Sequence, residues 1–130
     1  MAAGAGAMQG IADRLGHVGS ARVVLCGHSH KPELIRLPDG VLLLNPGSVG
    51  CPAYDDPSAP AHLSEAGSPH ARYALLEFRH GEGWGNDAEM TFVALSYAHE
   101  QAACRAQASG RADWAHALRT GTMPLVPAVK

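Results

Sequence analysis

The stretch VVLCGHSHKPELIRLPDGVLLLNPGSVGCP, residues 23–52, decides the fold of this chain. Its first residues belong to the apolar run Arg22–Cys26, whose β-branched side chains predict a buried strand. Two further apolar segments, Leu34–Leu37 and Val41–Leu44, flank the turn signal Pro38-Asp39-Gly40 and predict a hairpin. A strand followed at once by a hairpin indicates one small sheet.

A pair of histidines lies in Gly27-His28-Ser29-His30, directly after the predicted strand. Alternate side chains of a loop can be aimed separately, so both imidazoles can reach one site. Imidazole is a common ligand for Zn, Mn, Fe and Ni. Gly27 permits an unusual backbone angle and is expected to let the backbone approach bound ions. We predict that His28 and His30 bind metal; the alternative is a loop pair that is hydrogen-bonded to the backbone.

The second hairpin arm runs into Asn45-Pro46-Gly47-Ser48-Val49-Gly50. A hairpin that begins beside the histidines returns to the same edge, so the two loops are expected to be neighbours. Asn45 offers an amide, Ser48 a hydroxyl and Gly47 a free backbone N–H. With Gly27, these residues are predicted to support the histidines from behind or to line a phosphate pocket. An ordinary Gly/Pro turn is the alternative.

The rest of the chain adds helices and strands to this segment. Apolar periodicity and turn residues predict an α/β layer architecture. The expected elements are a helix over Met8–Leu15, an irregular loop over 51–71, strands over Arg72–Arg79 and Met90–Leu95 around a turn at 81–87, and helices over His99–Ser109 and Asp113–Arg119.

Composition excludes several classes of protein. The 130 residues fit one domain, and 17% charged residues with a net charge of -2 form no basic patch for nucleic acid or anionic lipid. Val41–Leu44, like every other apolar run in the sequence, is too short to span a bilayer. Three dispersed cysteines indicate no disulfide framework and a cytoplasmic location.

Residues outside the two motifs are assigned to the surface or to packing. Asp13 is predicted to be a solvated charge, and His62 and His70 are expected to be exposed. Tyr54-Asp55-Asp56 could touch substrate at the rim of a pocket, but a solvated turn is the favoured interpretation. Three further residues are interpreted as packing residues: Cys26, Trp84 and Trp114.

Taken together, the motifs resemble the last motif region of the calcineurin-like metallophosphoesterases. The closest branch is that of the small bacterial and archaeal phosphodiesterases, in which G-H-x-H, a hairpin and N-P-G-S-V-G follow in that order. Residues 68–78, SPHARYALLEF, and 97–123, YAHEQAACRAQASGRADWAHALRTGTM, resemble its C-terminal tail. The resemblance suggests a flexible tail at 1–9, a partial metallophosphoesterase domain at 10–123 and a C-terminal tail at 124–130.

The resemblance implies a two-metal phosphoesterase with a four-layer α/β/β/α sandwich. This chain would form its C-terminal half, which is one mainly β-sheet layer with flanking helices. His28 would bind one divalent ion and His30 the other, the ions being Mn, Fe, Ni, Zn or Mg. Such ions clamp a phosphomonoester or phosphodiester and lower the pKa of water for its hydrolysis.

The family's earlier motifs, D-x-H, G-D and G-N-H-D/E, are not found in these 130 residues, and His17, the one histidine before Gly27, lacks the context of the family's further histidine. We therefore expect the C-terminal part of an enzyme that is inactive alone, with a complementing N-terminal segment, a second chain or self-association as partner. One alternative is a non-catalytic protein-interaction module with a degenerate form of the fold. Another is a single-metal binder that uses His28, His30 and a third ligand such as His62.

Overall fold

The structure is a computed structural model that describes residues 5–58, 60–78 and 88–125, with the side chains of 5–8 and 88 left out. Within these residues the chain forms three helices and seven strands. Their order is α1 (Ala5–Leu15), β1 (Val23–Leu25), β2 (Pro32–Arg36), β3 (Leu42–Pro46), β4 (Ala53–Asp56), β5 (His62–Glu65), β6 (Ala71–Phe78), β7 (Ala88–Leu95), α2 (His99–Ala108) and α3 (Ala112–Thr120). This mixture of helices and small sheets confirms the predicted α/β class.

The first sheet has β3 at its centre, with β1 parallel on one side and β2 antiparallel on the other. The predicted hairpin is confirmed: the side chain of Asp39 accepts a hydrogen bond from the Val41 amide inside its turn. As the central strand, β3 buries Leu44 to 3% exposure. The prediction that β1 is buried is wrong, because Leu25 is 67% exposed at the edge of this sheet.

A second hairpin, β4–β5, occupies the segment that was expected to be irregular. Ala53 pairs with Glu65 and Asp56 pairs with His62 in an antiparallel ladder. The prediction of a loop over 51–71 is therefore wrong. Each strand has only four residues and little apolar content, so the two-residue alternation that identifies a strand is not visible in the sequence.

The third hairpin, β6–β7, confirms the two strands predicted there. The turn at 81–87 and Trp84 lie outside the described residues. The first residues of β6 contact the first sheet, because the Arg72 amide donates to the Ser48 carbonyl over 2.9 Å. This bond joins the N-P-G-S turn to the longest hairpin of the described chain.

The helices begin and end close to their predicted limits, and α1 starts at Ala5, inside the predicted tail. Helices α2 and α3 pack through Ala103, Ala115 and Leu118. At the end of α3, Gly121 adopts a left-handed φ of 75°. Its carbonyl accepts a hydrogen bond from the Gly67 amide over 2.9 Å, which holds α3 against the segment before β6.

Two predicted packing residues lie at the surface. Cys26 is exposed because it follows the edge strand β1. Trp114 is 40% exposed, with the Arg111 guanidinium 5.2 Å above its ring. Asp13 is exposed, as predicted. In the part of the chain that the structure describes, no helix has the length and apolar character that crossing a bilayer requires.

Many large apolar side chains are exposed. On the β6–β7 hairpin, Leu75 and Leu95 are 52% and 51% exposed, and the strand register places them on one face with Tyr73. An apolar face of this kind promotes association.

We therefore expect the chain to self-associate through this face. In analytical ultracentrifugation, the weight-average sedimentation coefficient should rise with protein concentration. The double variant Leu75→Lys/Leu95→Lys should remain closer to monomer, because two charges would have to be buried on association. A wild-type chain that stays monomeric at all concentrations and melts cooperatively would contradict this expectation.

Candidate metal centre

The loop after β1 places both histidines in a strained backbone conformation. His28 has a φ of 75° and His30 a φ of 57°. For a residue with a Cβ atom, this left-handed region of φ is unfavourable by a conformational free energy of about 1–2 kcal/mol. Such strain is concentrated at functional sites. The φ of Gly27 is not in the left-handed range. A Cβ atom placed on Gly27 would meet no atom within 4 Å. The positive φ angles of this loop are therefore at the two histidines and not at Gly27, where the sequence permits one.

The side chain of Asn45 connects the histidine loop to the N-P-G-S turn. Asn45 is 5% exposed, and its Nδ2 donates to the Gly27 carbonyl over 3.1 Å and to Ser29 Oγ over 2.9 Å. Its Oδ1 accepts a hydrogen bond from the Gly47 amide over 3.0 Å. The prediction that the two loops are neighbours is confirmed.

Gly47 and Ser48 shape the turn behind the histidine loop. Gly47 has a φ of 91°, and a Cβ atom there would lie 2.7 Å from the Cβ of Arg72. Only glycine therefore allows β6 to approach so closely. Ser48 Oγ accepts a hydrogen bond from the Cys51 amide over 3.0 Å, which closes the turn. A role of these residues in a phosphate pocket stays a prediction.

The ring of His30 is oriented by the backbone. Its Nδ1 lies 2.8 Å from the carbonyl oxygen of Cys51. A carbonyl oxygen can only accept, so Nδ1 donates and Nε2 of the neutral ring keeps its lone pair. Metal-binding histidines have this arrangement, in which the second ring nitrogen donates to a fixed acceptor. Burial raises the pKa of the Cys51 thiol, which makes the thiolate form less available as a ligand.

Tyr54 on β4 lies against all three histidines of this region. Its hydroxyl donates to the His28 carbonyl oxygen over 2.6 Å. Its ring centroid lies 6.1 Å from that of His28, 4.7 Å from that of His30 and 5.7 Å from that of His62. The favoured interpretation of residues 54–56 as a solvated turn is wrong, since they form a strand and Tyr54 is half-buried; Asp55 alone of the three is exposed.

Three side chains come together beside Tyr54: His28, Asp56 and His62. Each offers one ligand atom, and these atoms all lie within 4.8 Å of one another. His62 is exposed, as predicted, whereas His70 is half-buried. The two predicted ligands thus have different surroundings: His28 belongs to this cluster, and His30 contacts Cys51 and the ring of Tyr54.

The carboxylate of Asp56 is oriented and kept charged. Ser58 donates to Asp56 Oδ1 from its hydroxyl and from its amide, the latter over 2.9 Å. These hydrogen bonds, with a smaller contribution from the rings of His62 and His28, lower the pKa of Asp56. The group is therefore a carboxylate at neutral pH, which is the form that binds cations.

The sequence pattern did not indicate that Asp56 binds metal. It indicated His62 only as one example of a third ligand beside His28 and His30. The signal that could have found them is the pairing of residues 53–56 with residues 62–65 in a short hairpin. If the two polar segments pair in this register, Asp56 faces His62 directly. The sequence offers no apolar alternation to reveal that pairing.

The left-handed backbone at His28 generates a stability prediction. His28→Gly should be more stable than His28→Ala by about 1 kcal/mol, because relief of the strained φ exceeds the extra entropy that glycine loses on folding. Urea unfolding of both variants measures the difference. At His17, where φ is not positive, the alanine variant should be the more stable of the matched pair. A glycine advantage at both positions would contradict the role of backbone strain.

The close approach of β6 to Gly47 generates a second stability prediction. Gly47→Ala should lower the free energy of unfolding by about 3 kcal/mol, because left-handed strain and a steric clash with Arg72 add together. Gly27→Ala is the matched control and should change stability by less than about 0.5 kcal/mol. Equal effects of the two substitutions in urea unfolding would disprove the packing argument.

Comparison with known proteins identifies the family. The model of the calcineurin-like phosphoesterase superfamily domain matches residues 1–67, which include the histidine loop, the hairpin and the N-P-G-S turn. A comparison with curated proteins found no match. The resemblance of residues 68–123 to the family's C-terminal tail lies beyond the matched region and stays a prediction. Because the match covers more than half of the 130 residues, the chain belongs to the calcineurin-like phosphoesterase superfamily.

Proposed function

We propose that this chain is part of a metal-dependent phosphoesterase that hydrolyses a phosphomonoester or a phosphodiester. His28 and His30 bind two different divalent ions in this proposal. The observation that carries it is the sequence Gly27-His28-Ser29-His30, which follows β1 inside the region matched by the family model and is held to the sheet by the buried side chain of Asn45. Family membership supports phosphate esters as the substrate class.

The donor atoms around the loop fit a divalent ion. Two imidazoles and a carboxylate lie together at His28, Asp56 and His62, and this donor set suits Zn, Mn, Fe or Ni. The Cys51 carbonyl holds His30 with Nε2 available. When bound, such ions neutralise phosphate charge and lower the pKa of water. The chain's own part is to fix the imidazoles in position before substrate arrives.

Asn45 provides much of this positioning. Its amide donates to residues on both sides of His28, to the Gly27 carbonyl and to the Ser29 hydroxyl, so the loop is ordered by the sheet and not by the substrate. A positioned site avoids the entropic cost of ordering its ligands on binding. This is the contribution of the N-P-G-S motif in our proposal.

We also propose that the isolated chain has little turnover. The cluster of possible metal ligands among the described residues contains a single carboxylate, Asp56, whereas the two ions of such a centre lie about 3.5–4 Å apart and share several ligands. Further ligands would come from a complementing segment or a partner chain. A second candidate function, a protein-interaction module, is favoured by the exposed apolar face of the β6–β7 hairpin.

Binding of a phosphate ester separates the two functions. Isothermal titration with bis(4-nitrophenyl) phosphate should give measurable affinity in Mn²⁺ and none in EDTA. His28→Ala and His30→Ala should each weaken binding of the ester by about tenfold or more, because a clamp of two ions needs both rings. His17→Ala, which removes an exposed histidine outside the site, should bind like the wild type.

Two results would overturn the phosphoesterase proposal. One is ester binding that is equal in Mn²⁺ and in EDTA. The other is unchanged binding in both His28→Ala and His30→Ala. Circular dichroism of each variant confirms that the fold is retained before affinities are compared.

A further inference from the structure

We propose that the β4–β5 hairpin supplies two metal ligands, Asp56 and His62, which bind one divalent transition ion together with His28. His30 does not take part in this site. The proposal stands on the geometry of the hairpin and does not depend on the proposed phosphoesterase function. It assigns a metal-binding role to two residues outside the G-H-x-H and N-P-G-S motifs.

The strand register places both new ligands on the face that contacts the histidine loop. Asp56 and His62 are direct cross-strand partners, as are Tyr54 and Ser64. Because side chains alternate along a strand, these two pairs share one face of the hairpin. Tyr54 donates to the His28 carbonyl, and Ser64 donates to the carbonyl of Ser29. The same face therefore presents Asp56 and His62 to His28.

Each ligand has an atom available for a cation. Both Ser58 hydrogen bonds to Asp56 end on Oδ1, which leaves Oδ2 for a metal. The nitrogens of His62 lie 3.3 Å from Tyr54 Oη and 3.4 Å from the Pro60 carbonyl. These distances are long for hydrogen bonds, so giving up either contact costs little. Across the described residues, we find no hydrogen bond to a ring nitrogen of His28.

The spacing fits a small ion after modest side-chain movement. The three ligand atoms lie within 4.8 Å of one another, and a tetrahedral zinc ion with bonds of about 2.0–2.1 Å needs donors about 3.4 Å apart. His28 and His62 are exposed, so their rings can make that adjustment and the ion can enter from solvent. Zinc sites with two histidines and one carboxylate keep a fourth position open.

His30 lies outside this site. The Cys51 carbonyl at 2.8 Å fixes its Nδ1 and its ring packs on Tyr54 with centroids 4.7 Å apart, so its Nε2 stays available for a different ion. The set of ligand atoms within 4.8 Å of one another contains His28, Asp56 and His62 without it. The first ion bound to the chain should accordingly leave His30 free.

Zinc titration of the full chain tests the proposal. Calorimetry should show one high-affinity Zn²⁺ per chain, and Asp56→Asn or His62→Gln should each weaken it about tenfold or more. Asp55→Asn is the matched control: it removes an adjacent carboxylate on the opposite face of β4 and should change affinity by less than about threefold. His30→Gln should also retain the first site. Mg²⁺, which prefers oxygen ligands and water, should bind far more weakly.

A measurement on the wild type avoids any effect of substitution on folding. In NMR spectra of the imidazole groups, the first equivalent of Zn²⁺ should shift the resonances of His28 and His62 and leave those of His30 unchanged. The proposal is overturned if His30 shifts in place of His62, or if Asp55→Asn weakens binding as much as Asp56→Asn.

The outcomes also separate this proposal from the phosphoesterase function. If Zn²⁺ binding needs Asp56 and His62 but no phosphate ester binds, the hairpin site stands and the enzyme proposal fails. If Zn²⁺ binding needs His28 and His30 but neither Asp56 nor His62, the hairpin site fails and the enzyme proposal stands.

Discussion

The buried amide of Asn45 is the interaction on which the functional region depends. Its two donors and its acceptor are all used, on Gly27, Ser29 and Gly47. Loss of these partners would destabilise the folded chain by the desolvation energy of the buried amide, about 1–3 kcal/mol for each unpaired group. Because Asn45 belongs to the central strand β3, both the histidine loop and the glycine turn are positioned relative to the most buried strand of the sheet.

That positioning lets the loop hold a conformation that is unfavourable by itself. His28 and His30 both have positive φ values, although neither is glycine. Backbone strain of this kind is commonly found at functional sites. The buried core adds little stability to offset this strain, since α2 and α3 pack mainly through alanines and several large apolar side chains are exposed. Hydrogen bonds to the loop therefore contribute much of the energy that holds it in one conformation.

The β4–β5 hairpin changes how the two histidines are understood. From the motif alone they are an equivalent pair, one for each ion. In the structure, His28 faces the carboxylate and ring supplied by the hairpin, while His30 is held by the Cys51 carbonyl. Tyr54 lies against both. Because their surroundings differ, we propose different roles for the two imidazoles, and we propose a role in binding as well as in structure for the hairpin.

Wherever the determinants are local, the sequence predicts the structure well. Pro38-Asp39-Gly40 predicts the turn between β2 and β3, and Gly110 and Gly121 mark the ends of α2 and α3 because each adopts a left-handed φ. The motif order indicates the family through residues that lie close together in the chain. These features depend on turn chemistry and apolar period, which a few neighbouring residues determine.

Only the tertiary structure decided the rest. Asp56 joins His62 and His28 because two short polar strands pair and then contact a loop 26 residues away at Tyr54. No apolar period encodes such a pairing, since its energy comes from hydrogen bonds between distant backbone and side-chain groups. The exposure of Leu25 and Cys26 likewise follows from the position of β1 at the edge of its sheet. Both the ligand cluster and the exposed strand end are determined by residues that are close in space but distant in the sequence. A pattern of neighbouring residues does not contain that information.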